Sequence, residues 1–483
     1  MPRPTTTRAR MRKLAALSPF ELKGEFIAKA EQGARKNDFS MLNAGRGNPN
    51  WTATGPREAF FALGHFAMTE SRRVWTGDDL GGMPQAHGAA VRFAAWARKN
   101  AMIPGVDLLE RCVYFGVTKL GFEADAWVHE LVDGIVGDNY PVPDRMLTHC
   151  EKVVEAYLDR EMFDNRPPAG TFELFATEGG TAAMCVKVLC LVNPSNPPSM
   201  ALADRVARQI KDIVAKKNPN LIIVTDDVYG TFVEGFRSIA ADLPRNTLLV
   251  YSYSKHYGAT GWRLGVIGLH ENNVIDQMIA KLPAADRKVL HRRYESLSTH
   301  PEKLKFIDRL VADSRSVGLS HTAGLSLPQQ IQMALFSLFD LQDEGQDYKR
   351  LVRSIVKRRL DLLLEGCGMR IAEDPRRAGY YIELDLLAEA ERTHGAEFAA
   401  YLEASYEPID PLFRLAEQTG VVLLNGGGFD GPEWSVRVSP ANLDDLDYLK
   451  IGHNLRMIFQ DYVAEWQAAR ARPSRSGKST SSA

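Results

Sequence analysis

The sequence has little of three features that would restrict its class. Its five cysteines are an odd number and include no C-x-x-C pair, so neither a disulfide framework nor a cysteine-based zinc site is expected. Its net charge is only -1, which favours neither nucleic acid nor an anionic membrane as a partner. No apolar run is long enough to span a bilayer, and the basic N-terminus lacks the apolar core of a secretory signal. These absences predict a cytoplasmic protein with reduced thiols.

The length of 483 residues predicts two domains around a large core. Composition and patterning divide the chain into five parts. These are a flexible basic arm at 1–14, an N-terminal segment at 15–135 with a helical region at 56–135, a large domain at 136–350, a smaller α+β domain at 351–469, and a disordered Ser/Arg/Lys-rich tail at 470–483.

The order of predicted elements in the large domain favours an α/β fold. Residues 189–192 read as a strand, residues 201–216 as an amphipathic helix, and residues 221–224 and 247–250 as two further strands. Strand, crossover helix and strand in succession are typical of a doubly wound, mainly parallel sheet. Ligands of such sheets bind at the carboxyl ends of the strands.

One lysine follows directly on the last of these strands. Lys255 stands at the end of Ser-Tyr-Ser-Lys, with Ser252 three residues before it and Arg263 eight residues after it. A hydroxyl and a planar guanidinium at these positions suit one phosphate group. A lysine beside a phosphate site suggests pyridoxal 5'-phosphate, whose aldehyde condenses with an amine.

Polar residues at the other strand ends complete this constellation. Asp226 follows its strand and suits the pyridine nitrogen of the cofactor, whereas Tyr229 and Asn196 suit the ring oxygen. The Gly-Gly-Thr turn that includes Gly180 and Thr181 presents backbone N–H groups and a hydroxyl to the phosphate.

Each of these residues also has an ordinary structural interpretation. A lysine is usually a solvated surface residue, and an aspartate after a strand is usually a helix cap. A tyrosine is usually a packing residue, and a glycine-rich turn is often only a turn. Arg46, between two glycines, is equally consistent with a surface turn. Their common position at strand ends is what favours a cofactor site.

The arrangement resembles the fold-type I pyridoxal-phosphate enzymes of the aspartate aminotransferase superfamily, and within them the aspartate 4-decarboxylase group. The resemblance covers nearly the whole chain, including an inserted helical region at 56–135. The motifs that carry it are the fifteen residues 251–265, Asn-Ala-Gly-Arg-Gly-Asn-Pro-Asn-Trp at 43–51, Glu-Gly-Gly-Thr-Ala-Ala-Met at 178–184, Asn-Pro-Ser-Asn-Pro-Pro at 193–198 and His-Thr-Ala-Gly-Leu-Ser at 321–326.

The resemblance implies roles for further residues. Lys255 is the lysine that binds the cofactor covalently and later moves the proton of the substrate. Arg437 clamps the substrate α-carboxylate, and Arg46 contacts the substrate from the active-site loop. Tyr140 reaches the phosphate of the neighbouring subunit, because sites of this fold are built at a subunit interface. A homodimer or a higher homo-oligomer is therefore expected.

The same resemblance implies the reaction. The expected substrate is L-aspartate, which loses its 4-carboxylate as CO2 and becomes L-alanine, with a side aminotransferase activity that uses a 2-oxoacid. An aminotransferase acting on dicarboxylic amino acids would use the same residues. A cation that pairs with the β-carboxylate disfavours the loss of this group as CO2. The presence of such a cation would therefore favour the aminotransferase, and its absence the decarboxylase.

The chain departs in one place from the family that it resembles. Only fourteen residues separate Thr181 from Asn196, where similar enzymes carry several dozen more, including further sheet and the aromatic residue that stacks on the cofactor ring. No stacking residue is identified from the sequence. The third hypothesis is therefore an inactive deletion variant of such an enzyme.

Overall fold

The computed structural model describes residues 6–37, 40–77, 79–139, 145–177, 188–317 and 324–471. Its helices are α1 Arg8–Leu14, α2 Pro19–Asn37, α3 Thr54–Arg73, α4 Ala89–Lys99, α5 Val106–Thr118, α6 Ala124–Val136, α7 Thr148–Phe163, α8 Asp204–Lys216, α9 Val274–Ala280, α10 Ala284–Tyr294, α11 Phe306–Val317, α12 Leu327–Gln342, α13 Asp347–Cys367, α14 Leu386–His394, α15 Ala396–Ser405, α16 Asp410–Thr419 and α17 Asp445–Ala471. Its strands are β1 Leu42–Asn43, β2 Phe172–Thr177, β3 Val188–Val192, β4 Ile222–Asp226, β5 Thr247–Ser252, β6 Gly265–His270, β7 Ile382–Asp385, β8 Val421–Val422, β9 Leu424–Asn425 and β10 Ser435–Val438.

The main sheet of the described residues has the strand order β2-β6-β5-β4-β3. Strands β3, β4 and β5 are parallel, and their register places Val192 opposite Asp226 and Asp226 opposite Val250. Their carboxyl ends therefore lie at one edge of the sheet. The loops that leave this edge carry Asn196, the Asp226 side chain and Lys255.

The sheet is mainly parallel, as the sequence predicts, because four of its five strands run in the same direction. Strand β6 runs antiparallel to both β5 and β2. The reason lies in the connection from β5 to β6, which contains only residues 253–264 and a short 3-10 turn. A parallel return would need a crossover long enough to traverse the sheet.

The predicted helical region at 56–135 is confirmed by α3, α4, α5 and α6. Their apolar faces form one buried cluster with residues of α7 and α12. Trp127 of α6 lies fully buried in this cluster. The region is thus attached to the large domain through α7 and α12.

The smaller domain combines the β7-β10-β9 sheet with α13 to α17, and the N-terminus contributes to it. Helix α2 packs on α16, where the Phe26 and Phe413 rings lie 5.0 Å apart edge to face. Strand β1 pairs in parallel with β8, which brings Leu42 opposite Val421. The N-terminal segment is therefore part of the C-terminal core.

The prediction of a flexible arm at 1–14 is corrected for residues 8–14, which form α1. Met11 is buried on this helix. Arg8 and Arg12 both bind the Glu407 carboxylate, and the Arg12 contact is 2.9 Å long. Burial of Met11 and the ion pairs of Arg8 and Arg12 with Glu407 together anchor the helix. Among the described helices, none is long and apolar enough to cross a membrane.

Gly258, three residues after Lys255, is required by a close backbone approach. Its φ is +59°, and a Cβ built on it would lie 1.9 Å from the Trp51 carbonyl oxygen. We expect Gly258→Ala to lower the free energy of unfolding by about 3 kcal/mol, because the backbone must move and a left-handed conformation must be kept. Denaturant unfolding measures this change.

Gly235 provides the matched control for this prediction. Its φ is +61°, but a Cβ there would meet nothing within 4 Å. Gly235→Ala should cost only about 1 kcal/mol, which is the conformational term alone. Equal losses in the two variants would show that the contact with Trp51 is not what requires glycine.

Candidate active site

Lys255 lies at the carboxyl edge of the main sheet, in the turn that follows β5. Its Nζ donates a hydrogen bond to the Gly47 carbonyl oxygen at 2.8 Å. The hydroxyl of Tyr380 donates to the same oxygen, also at 2.8 Å, and the Tyr380 ring centroid lies 5.8 Å from Nζ. The lysine is thus covered by the loop after β1 and by the smaller domain.

The pKa of Lys255 is lowered from its ordinary value to about 8, first by burial and then by the charges of Arg437 and Arg263, whereas the charge of Asp226 acts in the opposite direction. A larger fraction of the amine is therefore neutral near pH 7 than in a free lysine, whose pKa is ~10.4. A neutral amine is the form that attacks carbonyl groups and accepts protons.

This shift predicts a pH dependence that needs no cofactor. Acylation of Lys255 in the folded protein should increase with pH through a midpoint of about 8, because only the neutral amine reacts. In denaturant the same lysine should follow a midpoint of ~10.4. Mass spectrometry of the Lys255 peptide after short reagent pulses measures both midpoints. Equal midpoints in the folded and the denatured protein would contradict the lowered pKa of Lys255.

Asp226 and Asp227 at the end of β4 face different surroundings. Asp227 is fully buried and accepts a hydrogen bond from the Thr225 hydroxyl at 2.6 Å, and burial raises its pKa to about 7. Asp226 accepts one hydrogen bond from the Val228 backbone at 3.2 Å. Burial also raises the pKa of Asp226, whereas the nearby Lys255 charge lowers it. Of these two aspartates, Asp226 is therefore the one whose carboxylate is affected by the Lys255 charge.

The side chains of Asn196 and Arg437, predicted for cofactor and substrate, are in direct contact. Arg437 on β10 donates from Nη1 to the Asn196 Oδ1 at 3.1 Å and from Nη2 to the Gly45 carbonyl at 3.4 Å. Its guanidinium lies 4.4 Å from the Tyr381 ring centroid and 4.7 Å from that of Phe429. Only 3% of Arg437 is exposed, and burial lowers its pKa.

Tyr229 lies in the same group of side chains. It is buried, and its hydroxyl donates to the Tyr381 hydroxyl over 3.5 Å. Burial raises the pKa of Tyr229 well above its usual value, and neighbouring Tyr381 raises it further. The phenol is therefore protonated over the ordinary pH range, so it is available as a hydrogen-bond donor.

Ser252 and Arg263 lie on the two sides of the Lys255 turn. The Ser252 hydroxyl donates to the Leu264 carbonyl at 3.2 Å and to the Ser254 hydroxyl at 3.0 Å. Arg263 is exposed, has a φ of +57°, and donates to the Thr260 carbonyl at 3.2 Å. The charge of Arg263 lowers the pKa of Lys255. Ser252 and Arg263, two of the predicted phosphate ligands, therefore both lie near the lysine.

Arg46 is exposed in the loop after β1 and lies near a second cation that sequence reasoning missed. Burial lowers the pKa of Lys23 on α2, and the charges of Arg46 and Arg437 lower it further. These three cations therefore form one positive region beside Lys255. No sequence motif marks Lys23 as a site residue.

The remaining predicted ligands, Gly180, Thr181 and Tyr140, lie outside the described residues. The shortened link after Thr181 lies partly outside them as well. Sequence reasoning also missed the Gly47 carbonyl and the pair Tyr380 and Tyr381. Aromatic residues before a strand are typical of a core, and nothing in the local pattern separates these two from packing residues.

Comparison with known proteins places this geometry in a family. The family model described as Aminotransferase class I and II matches residues 176–451, more than half of the chain. The chain belongs to this family. Pyridoxal 5'-phosphate is the cofactor of these aminotransferases. The side chains gathered around Lys255 fit it chemically, because they provide an amine, a buried carboxylate, neutral phenols and guanidinium groups.

Two curated relatives of this aminotransferase are informative. The bifunctional aspartate aminotransferase and L-aspartate beta-decarboxylase of a Pseudomonas species is 41% identical over 525 aligned positions, which cover 95% of this chain and 98% of that protein. The aspartate aminotransferase of Sulfolobus acidocaldarius is 38% identical over 96 residues, which are 19% of this chain and 23% of that protein.

Solved structures agree with the fold of this aminotransferase. A double mutant of the Thermus thermophilus aspartate aminotransferase matches with a TM-score of 0.54 and 15% identity, over 92% of this chain and 98% of that one. The aspartate aminotransferase of Rhizobium meliloti matches with a TM-score of 0.52 and 13% identity, over 92% and 96%. The predicted fold-type I architecture is therefore confirmed.

The alignment with the Pseudomonas protein also bears on the shortened link. Its 525 positions exceed the 483 residues of this chain by 42. At least that many positions of the alignment are therefore absent from this aminotransferase. This number agrees with the several dozen residues expected to be missing between Thr181 and Asn196, although the location of the gap stays a prediction.

Proposed function

We propose that the chain catalyses the pyridoxal-phosphate-dependent 4-decarboxylation of L-aspartate to L-alanine and CO2, with a side aspartate aminotransferase activity. The observation that carries this proposal is the 41% identity over nearly the full length of both proteins. The contact of the buried Arg437 with Asn196, beside Lys255, supports it. We place the reaction in the cytoplasm.

The residues proposed to hold the cofactor surround Lys255, which would bind it through its amine. When bound, pyridoxal phosphate supplies an electron-withdrawing ring that stabilises negative charge next to the substrate amine. The other proposed ligands are Asp226 for the ring nitrogen, Tyr229 and Asn196 for the ring oxygen, and Ser252, Arg263, Gly180, Thr181 and the partner subunit's Tyr140 for the phosphate.

Lys255 is proposed to move the proton of the substrate. Once the substrate amine has replaced it, its Nζ takes the proton from Cα. A pKa of about 8 suits this task, since the amine is partly neutral near pH 7 and still basic. The Cβ–carboxylate bond would then break and release CO2, Cβ would take up one proton, and the Lys255 Nζ would return the proton to Cα to give alanine.

Arg437 is proposed to receive the substrate α-carboxylate. Within the described ranges no carboxylate pairs with it, and its buried Nε has no hydrogen-bond partner there. A buried guanidinium without an anion is costly, so an incoming carboxylate satisfies both charge and donor. Asn196 holds the guanidinium in place through Nη1.

An aminotransferase specific for dicarboxylic amino acids is the second candidate. The observation that favours it is the positive region of Lys23 and Arg46 next to Arg437. A β-carboxylate held by these cations would be stabilised against loss as CO2. Decarboxylation instead requires that the β-carboxylate forms no strong ion pair with these cations.

One assay separates these candidates. Purified protein with added pyridoxal phosphate is given L-aspartate without a 2-oxoacid, and alanine and trapped CO2 are measured. Equimolar alanine and CO2 are expected. Turnover that depends on a 2-oxoacid, with little CO2, would favour the aminotransferase. Soluble protein with no absorption band of bound cofactor would indicate an inactive deletion variant.

We also propose that the chain forms a homodimer or a higher homo-oligomer. Support comes from large apolar side chains that the inserted helices leave exposed in one chain: Phe61 61%, Val91 73%, Met102 95% and Tyr114 69%. Several large apolar side chains exposed in one region of the chain favour a protein interface there. A monomer in light scattering at micromolar concentration would contradict this proposal.

A further inference from the structure

Tyr381 lies at the point where the predicted site residues meet, although no sequence motif marks it. It stands directly before β7 and is 3% exposed. Its ring faces the Arg437 guanidinium at 4.4 Å, and its hydroxyl lies 3.5 Å from that of Tyr229. One side chain thus contacts both the proposed substrate arginine and a proposed cofactor ligand.

The Tyr381 hydroxyl is also close to the Lys255 amine. A Cβ built on Gly47 would lie 2.3 Å from the Tyr381 hydroxyl oxygen and 3.3 Å from the Lys255 Nζ. The two atoms are therefore separated by at most the sum of these distances. Only a glycine at position 47 leaves room for both groups at this point.

We propose that Tyr381 is a positioning residue for the substrate, with two separable functions. Its ring fixes the Arg437 guanidinium so that the arginine can receive a carboxylate, and its hydroxyl orients Tyr229 beside Lys255. The proposal deepens the proposed function and rests on it, because it assumes that Arg437 binds a carboxylate of the substrate.

Aromatic rings surround the Arg437 guanidinium. The rings of Tyr381 and Phe429 both lie within 4.7 Å of its guanidinium carbon, and in the described part of the chain no carboxylate neutralises it. Aromatic rings attract a cation without accepting its N–H groups in the way that a carboxylate does. Nε therefore stays unpaired in the described structure and is left for the ligand.

The Tyr229 hydroxyl depends on that of Tyr381. In the described structure it donates a hydrogen bond to the Tyr381 oxygen, and the pKa of Tyr229 is raised by burial first and by Tyr381 next. Removing the Tyr381 hydroxyl leaves the buried Tyr229 hydroxyl without this acceptor. Its orientation toward the proposed cofactor oxygen would then change, which alters the protonation of the lysine-bound cofactor.

A purely structural role for Tyr381 predicts something different. Its ring belongs to the main hydrophobic cluster and lies 5.2 Å from that of Tyr380. If it only fills space, phenylalanine is neutral in every respect. A smaller residue then lowers stability without a selective change in substrate binding.

The test compares Tyr381→Phe, which keeps the ring, with Tyr381→Leu, which removes it. Tyr157→Phe is the matched control, since it removes a buried hydroxyl that bonds Tyr251 in the same cluster. The readouts are KM and kcat for L-aspartate, the Kd of an unreactive dicarboxylate such as maleate, the pH midpoint of the cofactor absorption band, and the unfolding midpoint.

We expect Tyr381→Phe to keep KM and the maleate Kd within about twofold, to lower kcat by about tenfold, and to shift the pH midpoint of the band. Tyr381→Leu should raise both KM and the maleate Kd by about tenfold or more. Tyr157→Phe should leave all of these at their wild-type values.

Two results would overturn the proposal. One is a Tyr381→Phe protein identical to wild type in kcat and pH midpoint, together with a Tyr381→Leu protein that has lost only stability. The other is a wild-type protein that binds no dicarboxylate. If wild-type protein binds maleate but does not convert aspartate, only the proposed reaction is contradicted. The maleate Kd of Tyr381→Leu then still tests whether the Tyr381 ring positions Arg437.

Discussion

Lys255→Ala is expected to abolish the decarboxylation of L-aspartate, with a loss of about four orders of magnitude or more. The variant lacks both the amine that would bind the cofactor and the base that would move the Cα proton. Its loss is expected to be larger than that of any other single substitution in the site. Release of CO2 from carboxyl-labelled aspartate measures it over this range.

The control for this prediction is a lysine outside the site. Lys281 is exposed, at the end of α9, so Lys281→Ala should keep wild-type activity. Borohydride reduction followed by peptide mass spectrometry should find the cofactor on Lys255 in the wild type and in the control. A reduced adduct on another lysine, or an active Lys255→Ala protein, would contradict the assignment.

Arg437→Leu should have the second largest effect, an increase of about 100-fold in KM for aspartate. The buried guanidinium is the charged group that contacts Asn196, and it has an unpaired Nε within the described residues. Leucine removes the charge and all N–H donors of the guanidinium but keeps an apolar side chain between Tyr381 and Phe429. Steady-state kinetics and titration with maleate measure the loss.

Arg437→Lys separates charge from geometry in this prediction. Lysine keeps the positive charge but not the planar pair of donors, so its KM should lie between those of the wild type and the leucine variant. An unchanged KM in Arg437→Leu would mean that the substrate carboxylate binds elsewhere. Lys23 and Arg46 would then be the next cations to replace.

The cofactor half of the site could be predicted because it depends on local pattern. A strand followed by Ser-Tyr-Ser-Lys, and another followed by Asp226, place their side chains at one edge whenever the strands are parallel neighbours. The register of β3, β4 and β5 confirms that they are. The structure distinguishes Asp226 from the adjacent Asp227, which is fully buried and bonded to Thr225.

The substrate half could be only partly predicted. Arg437 was found through family resemblance, and its contact with Asn196 joins residues 241 positions apart. Tyr381 and the Gly47 carbonyl carry no sequence signal, because a tyrosine before a strand and a loop carbonyl are common in every fold. The stacking residue for the cofactor ring is still not identified in the described part of the chain.

The family, the parallel strand ends and the helical region at 56–135 could be predicted from the sequence alone, and so could the position of Lys255 after a strand, since each follows from residues adjacent in the chain or repeated at a fixed spacing. Tertiary structure decided the rest. It placed α1 and α2 on the C-terminal core, paired β1 with β8, and brought Tyr381, Arg437 and Gly47 to Lys255. The physical reason is that contacts between distant segments depend on which apolar faces bury one another across the whole molecule, and no local pattern specifies that choice.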